Sequence, residues 1–184
     1  MSARMRIAVA TLGCRLNQYD TASLEERLKV LEPEFVEFGD QADVYIINTC
    51  TVTNKADREA RQLIRRAKRT NPVSKVIVTG CYAQVNPGEV AAIDGVDFVA
   101  GLGQAPAILA RIAGETGGER VVWSDLKAER KVQLFGGQRL RGRTRAFLKI
   151  QEGCNFSCAF CIIPTARGRS RRSEERRVGK ECRL

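Results

Sequence analysis

Arg6-Ile7-Ala8-Val9-Ala10-Thr11-Leu12-Gly13-Cys14, Val44-Tyr45-Ile46-Ile47-Asn48-Thr49-Cys50 and Lys75-Val76-Ile77-Val78-Thr79-Gly80-Cys81 repeat one pattern: a short apolar run that turns polar and stops at a cysteine. Strands are predicted at Arg6–Thr11, Val44–Asn48, Lys75–Thr79 and, more weakly, Phe98–Ala100. Helical patterns fill the gaps at Thr21–Val30, Lys55–Thr70, Pro87–Ile93 and Ala105–Ala113. Short apolar runs alternating with longer helical patterns indicate βαβ units, hence an α/β fold with an open, mostly parallel sheet flanked by helices. In the second helix Ala56, Ala60, Leu63, Ile64 and Ala67 share one face, and Arg58, Arg61, Arg65, Arg66, Lys68 and Arg69 take the rest. One side packs and the other is cationic. Asn71-Pro72 ends the helix, since a residue before proline is driven out of the helical region.

Residues 1–113 are therefore expected to form one domain. Residues 114–143, with glycines at 114, 117, 118, 136 and 137 and apolar runs only at Val121–Trp123 and Val132–Phe135, read as a connection. A new strand is predicted over Ala146–Ile150, leading into a cysteine-rich loop that opens a second unit over 144–172.

Hydrophobic residues make up 43% and charged residues 28% of the 184, the balance of a soluble globular chain. There is no apolar run long enough to span a bilayer and no export signal, which predicts a cytoplasmic protein without membrane association. Seven cysteines in such a chain point to metal binding or catalysis instead of disulfides. The absence of histidine excludes Cys/His zinc sites and histidine bases within the chain. The net charge of +10 is unevenly spread: residues 1–138 hold 18 basic and 17 acidic side chains, residues 139–184 hold 13 and 4. The C-terminal quarter is either a polyanion-binding surface or a solvated basic tail.

Cys154, Cys158 and Cys161 stand in Gly153-Cys154-Asn155-Phe156-Ser157-Cys158-Ala159-Phe160-Cys161. Three thiolates at C-x3-C-x2-C spacing suit three corners of a four-iron cluster, leaving one iron open; the alternative is a zinc knuckle completed by a distant cysteine. Cys14, Cys50 and Cys81 each follow a predicted strand and would emerge at one carboxyl edge of a parallel sheet, where ligands bind in such folds. Taken singly, each is equally a small buried hydrophobe. Gly13 and Gly80 either permit close backbone approach there or serve turns.

The loop around Cys154, with Phe160 before its last cysteine, is similar to the radical S-adenosylmethionine motif. Leu12-Gly13-Cys14, Asn48-Thr49-Cys50-Thr51-Val52-Thr53 and Thr79-Gly80-Cys81-Tyr82-Ala83-Gln84 resemble the three cysteine motifs of the N-terminal domain of radical S-adenosylmethionine methylthiotransferases. The resemblance extends to about Arg172. Lys55-Ala56-Asp57-Arg58-Glu59-Ala60-Arg61-Gln62, Gln151-Glu152-Gly153 and Ile162-Ile163-Pro164 are most similar to the branch acting on threonylcarbamoyladenosine in tRNA.

This resemblance implies an auxiliary 4Fe-4S cluster on Cys14, Cys50 and Cys81, and a catalytic 4Fe-4S cluster on Cys154, Cys158 and Cys161. S-adenosyl-L-methionine would bind the open iron and yield a 5′-deoxyadenosyl radical. It also implies the anticodon stem-loop of tRNA and an electron donor as partners, and methylthiolation at carbon 2 of the modified adenosine. Related substrates are isopentenyladenosine in tRNA and a ribosomal protein; a different class of reading is a non-catalytic, metal-stabilised RNA-binding module. Arg167, Arg169, Arg171 and Arg172 are expected either to contact phosphate or a cofactor carboxylate, or to be solvated.

Complete family members continue through a (β/α) barrel and a small RNA-binding domain, so residues 144–172 match only the barrel's first strand and cluster loop. Unpaired strand edges predict aggregation or disorder beyond about Leu140. Residues 173–184 do not resemble the family; they are expected to come from a truncated or frame-disrupted gene record. Cys182 is then without a ligand role, the competing view making it a fourth ligand.

Overall fold

The computed structural model describes residues 4–115, 118–129, 138–139 and 146–172. β1 (Arg6–Thr11), β2 (Glu34–Val36), β3 (Val44–Thr49), β4 (Lys75–Gly80), β5 (Phe98–Ala100) and β6 (Val121–Val122) form one sheet in the order β2-β1-β3-β4-β5-β6. Every neighbouring pair is parallel. The central strands are buried along their length because helices cover both faces. α1 (Arg15–Leu28) and α5 (Ala105–Ile112) pack Leu24, Leu28, Ile108 and Ile112 against Ile7, Ile46 and Ile77. On the opposite face α2 (Asn54–Thr70), α3 (Cys81–Val85) and α4 (Pro87–Ala91) pack Ile64, Tyr82 and Val90 against Tyr45, Ile47 and Val78. Each isoleucine or leucine so withdrawn from water contributes about 1.5–3 kcal/mol.

The predicted face of α2 is the buried one: Ala60, Ile64 and Ala67 are inaccessible. Thr53 caps the helix through its side chain, accepting from the Ala56 N–H at 3.2 Å, and Asn71 is extended before Pro72.

Several elements differ from expectation. α1 begins at Arg15, not Thr21, because its first turns bury polar groups, Asn17 and Thr21, where an apolar stripe would have announced a helix. The span predicted as one helix from Pro87 is preceded by the separate turn of α3, which starts at Cys81 itself. β2 is an edge strand too short to show a period. Val121–Val122, assigned to the connection, extends the sheet as β6. The run Val132–Phe135 and the tail 173–184, including Cys182, lie outside the described residues.

In the second unit β7 (Gln138–Arg139) pairs antiparallel with β8 (Ala146–Phe147), and β9 (Gln151–Glu152) with β10 (Arg171–Arg172). The single strand predicted over Ala146–Ile150 is therefore shorter. The disorder expected beyond Leu140 does not extend over 146–172: α6 (Ile163–Arg167) packs on α3, with Ala166 and Cys81 in one cluster with Leu102 and Leu126.

Candidate functional site

The strand order reverses at β1: the chain steps outward to β2 and returns on the other side of β1 as β3. Such a switch opens a crevice beyond the carboxyl ends of the strands. Register then decides what stands there. Thr11 pairs with Asn48, Asn48 with Thr79, and Thr49 with Gly80, so Cys50 and Cys81 leave the sheet as the next residues of adjacent strands. From β1 the Leu12 N–H still donates to the Asn48 carbonyl at 2.8 Å. The chain then turns at Gly13 (φ 90°) and delivers Cys14 as the residue capping α1.

A Cβ built on Gly13 would lie 2.7 Å from Cys50 Sγ, so the missing side chain is the space that admits the thiol. Gly80 answers to a different neighbour: at φ 96° its added Cβ would lie 2.3 Å from the Thr49 carbonyl oxygen and 2.4 Å from Asn48 Oδ1. Gly80→Ala is expected to destabilise the fold by about 2–3 kcal/mol, from backbone strain and contact with an adjacent strand that has no room to retreat. Urea denaturation checks this; an unchanged midpoint contradicts it.

The three cysteine loops share one residue that sequence reasoning missed. Asn17, fully buried on the first turn of α1, donates through Nδ2 to the Leu12 carbonyl at 2.8 Å and the Thr49 carbonyl at 3.0 Å. Its Oδ1 lies 3.7 Å from Cys81 Sγ and 4.0 Å from Cys14 Sγ. One amide thus ties the residues preceding Gly13-Cys14 and Cys50 while facing two of the thiols. No sequence signal marked it, because the burial of a polar residue leaves no trace in an apolar period. Cys14 is exposed, Cys50 and Cys81 are buried. Burial pushes the Cys81 thiol up, against the pull of the nearby Arg167 guanidinium. Among the described residues no three Cys, Asp or Glu side chains close on a single metal ion.

The second trio lies in the loop from β9 to α6. The Cys154 N–H donates to the Gly168 carbonyl at 3.1 Å, and the Cys161 N–H to the Cys158 carbonyl at 3.1 Å, a tight turn that draws these two cysteines together. Cys158 is exposed, Cys154 and Cys161 half-buried, and Phe160 is 94% exposed. Cys154 borders an open cleft of about 670 Å³ with Phe156, Pro164 and Arg169.

Two of the four arginines after this loop are not where the sequence placed them. Arg167 and Arg171 are buried, whereas Arg169 and Arg172 are exposed. Arg167 donates from Nη1 to Glu152 Oε1 at 2.6 Å and from Nη2 to Asp20 Oδ2 at 2.9 Å and Asn17 Oδ1 at 2.6 Å. Lys149 pairs with Asp20 at 3.0 Å and Glu152 at 2.9 Å, and Arg171 lies 3.6 Å from Glu152. Neither Arg167 nor Arg171 is therefore free for phosphate or a cofactor carboxylate. A rigid guanidinium fork can bridge Glu152, Asp20 and Asn17 at once, which suits this site better than lysine would. Burial works against the Arg167 charge, but Asp20, Cys81 and Glu152 outweigh it and push its pKa up. Lys149, a cation inside an apolar run, was the legible hint of this network.

Comparison with known proteins agrees with this architecture. Residues 6–101, more than half of the chain, match the family described as "Uncharacterized protein family UPF0004". The chain is 43% identical over 182 residues to the threonylcarbamoyladenosine tRNA methylthiotransferase MtaB of Aquifex aeolicus, covering 98% of this chain and 44% of that protein. It is 46% identical over 173 residues to MtaB of Bacillus subtilis, covering 92% of this chain and 38% of the relative. A tRNA-2-methylthio-N(6)-dimethylallyladenosine synthase of Cereibacter sphaeroides is 33% identical over 173 residues, covering 91% of this chain and 39% of that protein. The chain spans about two fifths of the length of these relatives. Because the family match runs from the first strand to the end of the fifth, the chain belongs to UPF0004, the N-terminal domain family of the radical S-adenosylmethionine methylthiotransferases.

Proposed function

We propose that this chain is the part of a tRNA methylthiotransferase that carries both cysteine sites, and that the whole protein adds a methylthio group to carbon 2 of threonylcarbamoyladenosine beside the anticodon. The observation that carries this reading is the arrival of Cys14, Cys50 and Cys81 at one carboxyl edge, tied through Asn17 and Arg167 to the segment bearing Cys154, Cys158 and Cys161. The Aquifex and Bacillus relatives, both threonylcarbamoyladenosine tRNA methylthiotransferases, support the choice of substrate.

On this reading Cys14, Cys50 and Cys81 hold an auxiliary 4Fe-4S cluster. Cys154, Cys158 and Cys161 hold the catalytic one, with S-adenosyl-L-methionine beside it. The donors fit: the chain has no histidine, thiolates are the soft ligands that iron–sulfur clusters take, and Gly13 leaves a cradle beside Cys50. When bound, these groups supply one-electron and radical chemistry, sulfur and a methyl group, none of which a side chain provides.

The chain's own residues orient and enclose. Asn17 holds the loops before Cys14 and Cys50 at fixed separation. Ala166 and Leu126 cover Cys81 and keep water from it. Asp20 and Glu152 hold Arg167 and Lys149 in place between the two trios. tRNA and an external electron donor are the partners this requires.

Nucleosides from tRNA of cells with and without the full-length gene test the substrate. Loss of 2-methylthio-threonylcarbamoyladenosine, with its unmethylthiolated precursor accumulating, is expected. Unchanged methylthio-adenosines overturn the tRNA reading. Loss of only the dimethylallyl derivative moves the substrate to that of the Cereibacter relative.

A further inference from the structure

We propose that Arg167 is a positioning residue for the N-terminal cysteine site, its guanidinium docking from the second unit onto Asn17 beside Cys81 so that the two cysteine trios are held as one body. This rests on the reading that Cys14, Cys50 and Cys81 ligate a cluster, and it assigns a role to a residue outside both ligand sets.

Three side chains, Asn17, Asp20 and Glu152, place the guanidinium. Arg167 is 1% exposed, and its Nη2 bonds Asn17 Oδ1 at 2.6 Å, the same oxygen that faces Cys81 Sγ at 3.7 Å and Cys14 Sγ at 4.0 Å. The Asn17 oxygen thus stands between the guanidinium and the Cys81 thiol, whose pKa the nearby Arg167 charge pulls down against burial. Its backbone is fixed as well: the Arg167 carbonyl accepts from Arg171 Nη2 at 2.8 Å, and the adjacent Ala166, inaccessible to water, packs on Cys81. The residue that screens Cys81 from water and the one that brings it a positive charge are therefore consecutive on α6.

The charge pattern favours an anionic neighbour. Among the described residues the ion pairs of this network join three cations, Lys149, Arg167 and Arg171, to two carboxylates, Asp20 and Glu152. Thiolates ligating a cluster at Cys81 would bring an anion beside the Arg167 guanidinium. A cation held at short range in a site of low dielectric stabilises the more negative, reduced form of a cluster more than the oxidised form. The Asn17 amide makes the effect geometric too, because Arg167 fixes the oxygen whose partner nitrogen grips two of the cysteine loops.

The test uses the full chain with Cys154, Cys158 and Cys161 changed to alanine, so that one cluster site remains, reconstituted anaerobically with iron and sulfide. With arginine labelled by nitrogen-15 and one electron delivered to the cluster by dithionite, pulsed electron paramagnetic resonance is expected to show nitrogen-15 coupling. That coupling disappears in Arg167→Lys. In redox titration Arg167→Met lowers the one-electron reduction constant about tenfold, equivalent to about 59 mV, and Arg167→Lys, which keeps the charge, recovers most of it. The labelled protein with native Arg167 makes the test independent of whether Arg167→Met folds. A cluster that binds fully but shows no coupling overturns this inference alone. Failure to bind iron overturns the ligand reading and this inference with it.

Discussion

Replacing Cys14, Cys50 and Cys81 together by alanine is expected to halve the iron of the anaerobically reconstituted chain, from about eight atoms to about four, and the Cys154, Cys158 and Cys161 triple to halve it equally. The equality is the informative part. The two trios sit on different elements, one at the ends of three parallel strands and the other in a loop between β9 and α6. A single site drawing on both would lose all its iron in either triple. Alanine also leaves each fold position filled by a residue of similar size and apolar character, so loss of metal is separable from loss of structure by circular dichroism. Protein that stays colourless and takes up zinc tightly instead would remove the methylthiotransferase reading and leave the metal-stabilised RNA-binding module in its place.

Glu152→Ala is expected to cost about 3–5 kcal/mol of stability, because it leaves buried cations without their shared carboxylate. Lys149, Arg167 and Arg171 have side chains only 4%, 2% and 5% exposed, and all three are paired to Glu152. Asp20 still pairs with Lys149 and Arg167, but Arg171 loses its recorded carboxylate. The penalty is large because removing one partner strands the others, even though the intact network need not be more stable than an apolar replacement. Glu152→Gln, which keeps the shape and one acceptor, is expected to cost less. Chemical denaturation followed by tryptophan fluorescence from Trp123 and by circular dichroism measures both. A Glu152→Ala midpoint within error of the parent would show that water reaches these cations.

The sheet was legible because its strands are buried on both faces and so are apolar without interruption, as in Val76-Ile77-Val78. The core face of α2 was equally legible, since small and aliphatic residues recur at helical spacing against a run of arginines. α1 was read short for the opposite reason. Its first turns carry Asn17, Asp20 and Thr21 inward to serve hydrogen bonds and ion pairs, and a buried polar residue leaves no mark on an apolar period. β6 has only two residues and gains its meaning from β5, a partner distant in sequence.

The same division holds at the cysteines. That three cysteines follow strands and three share one loop was legible in the chain alone, because strand ends and close spacing are local properties of sequence. Which side chains stand around them was not. Asn17 reaches Arg167 across 150 positions of sequence, and Lys149 reaches Asp20 across 129. Such pairs are selected by the packing of α6 on α3, and no short-range pattern encodes them. The arginines after Cys161 illustrate the point most plainly. Identical in chemistry and two residues apart, Arg167 and Arg169 are separated by the fold into a buried bridge and an exposed side chain, because Arg167 meets Glu152 of its own unit and Asp20 of the neighbouring one.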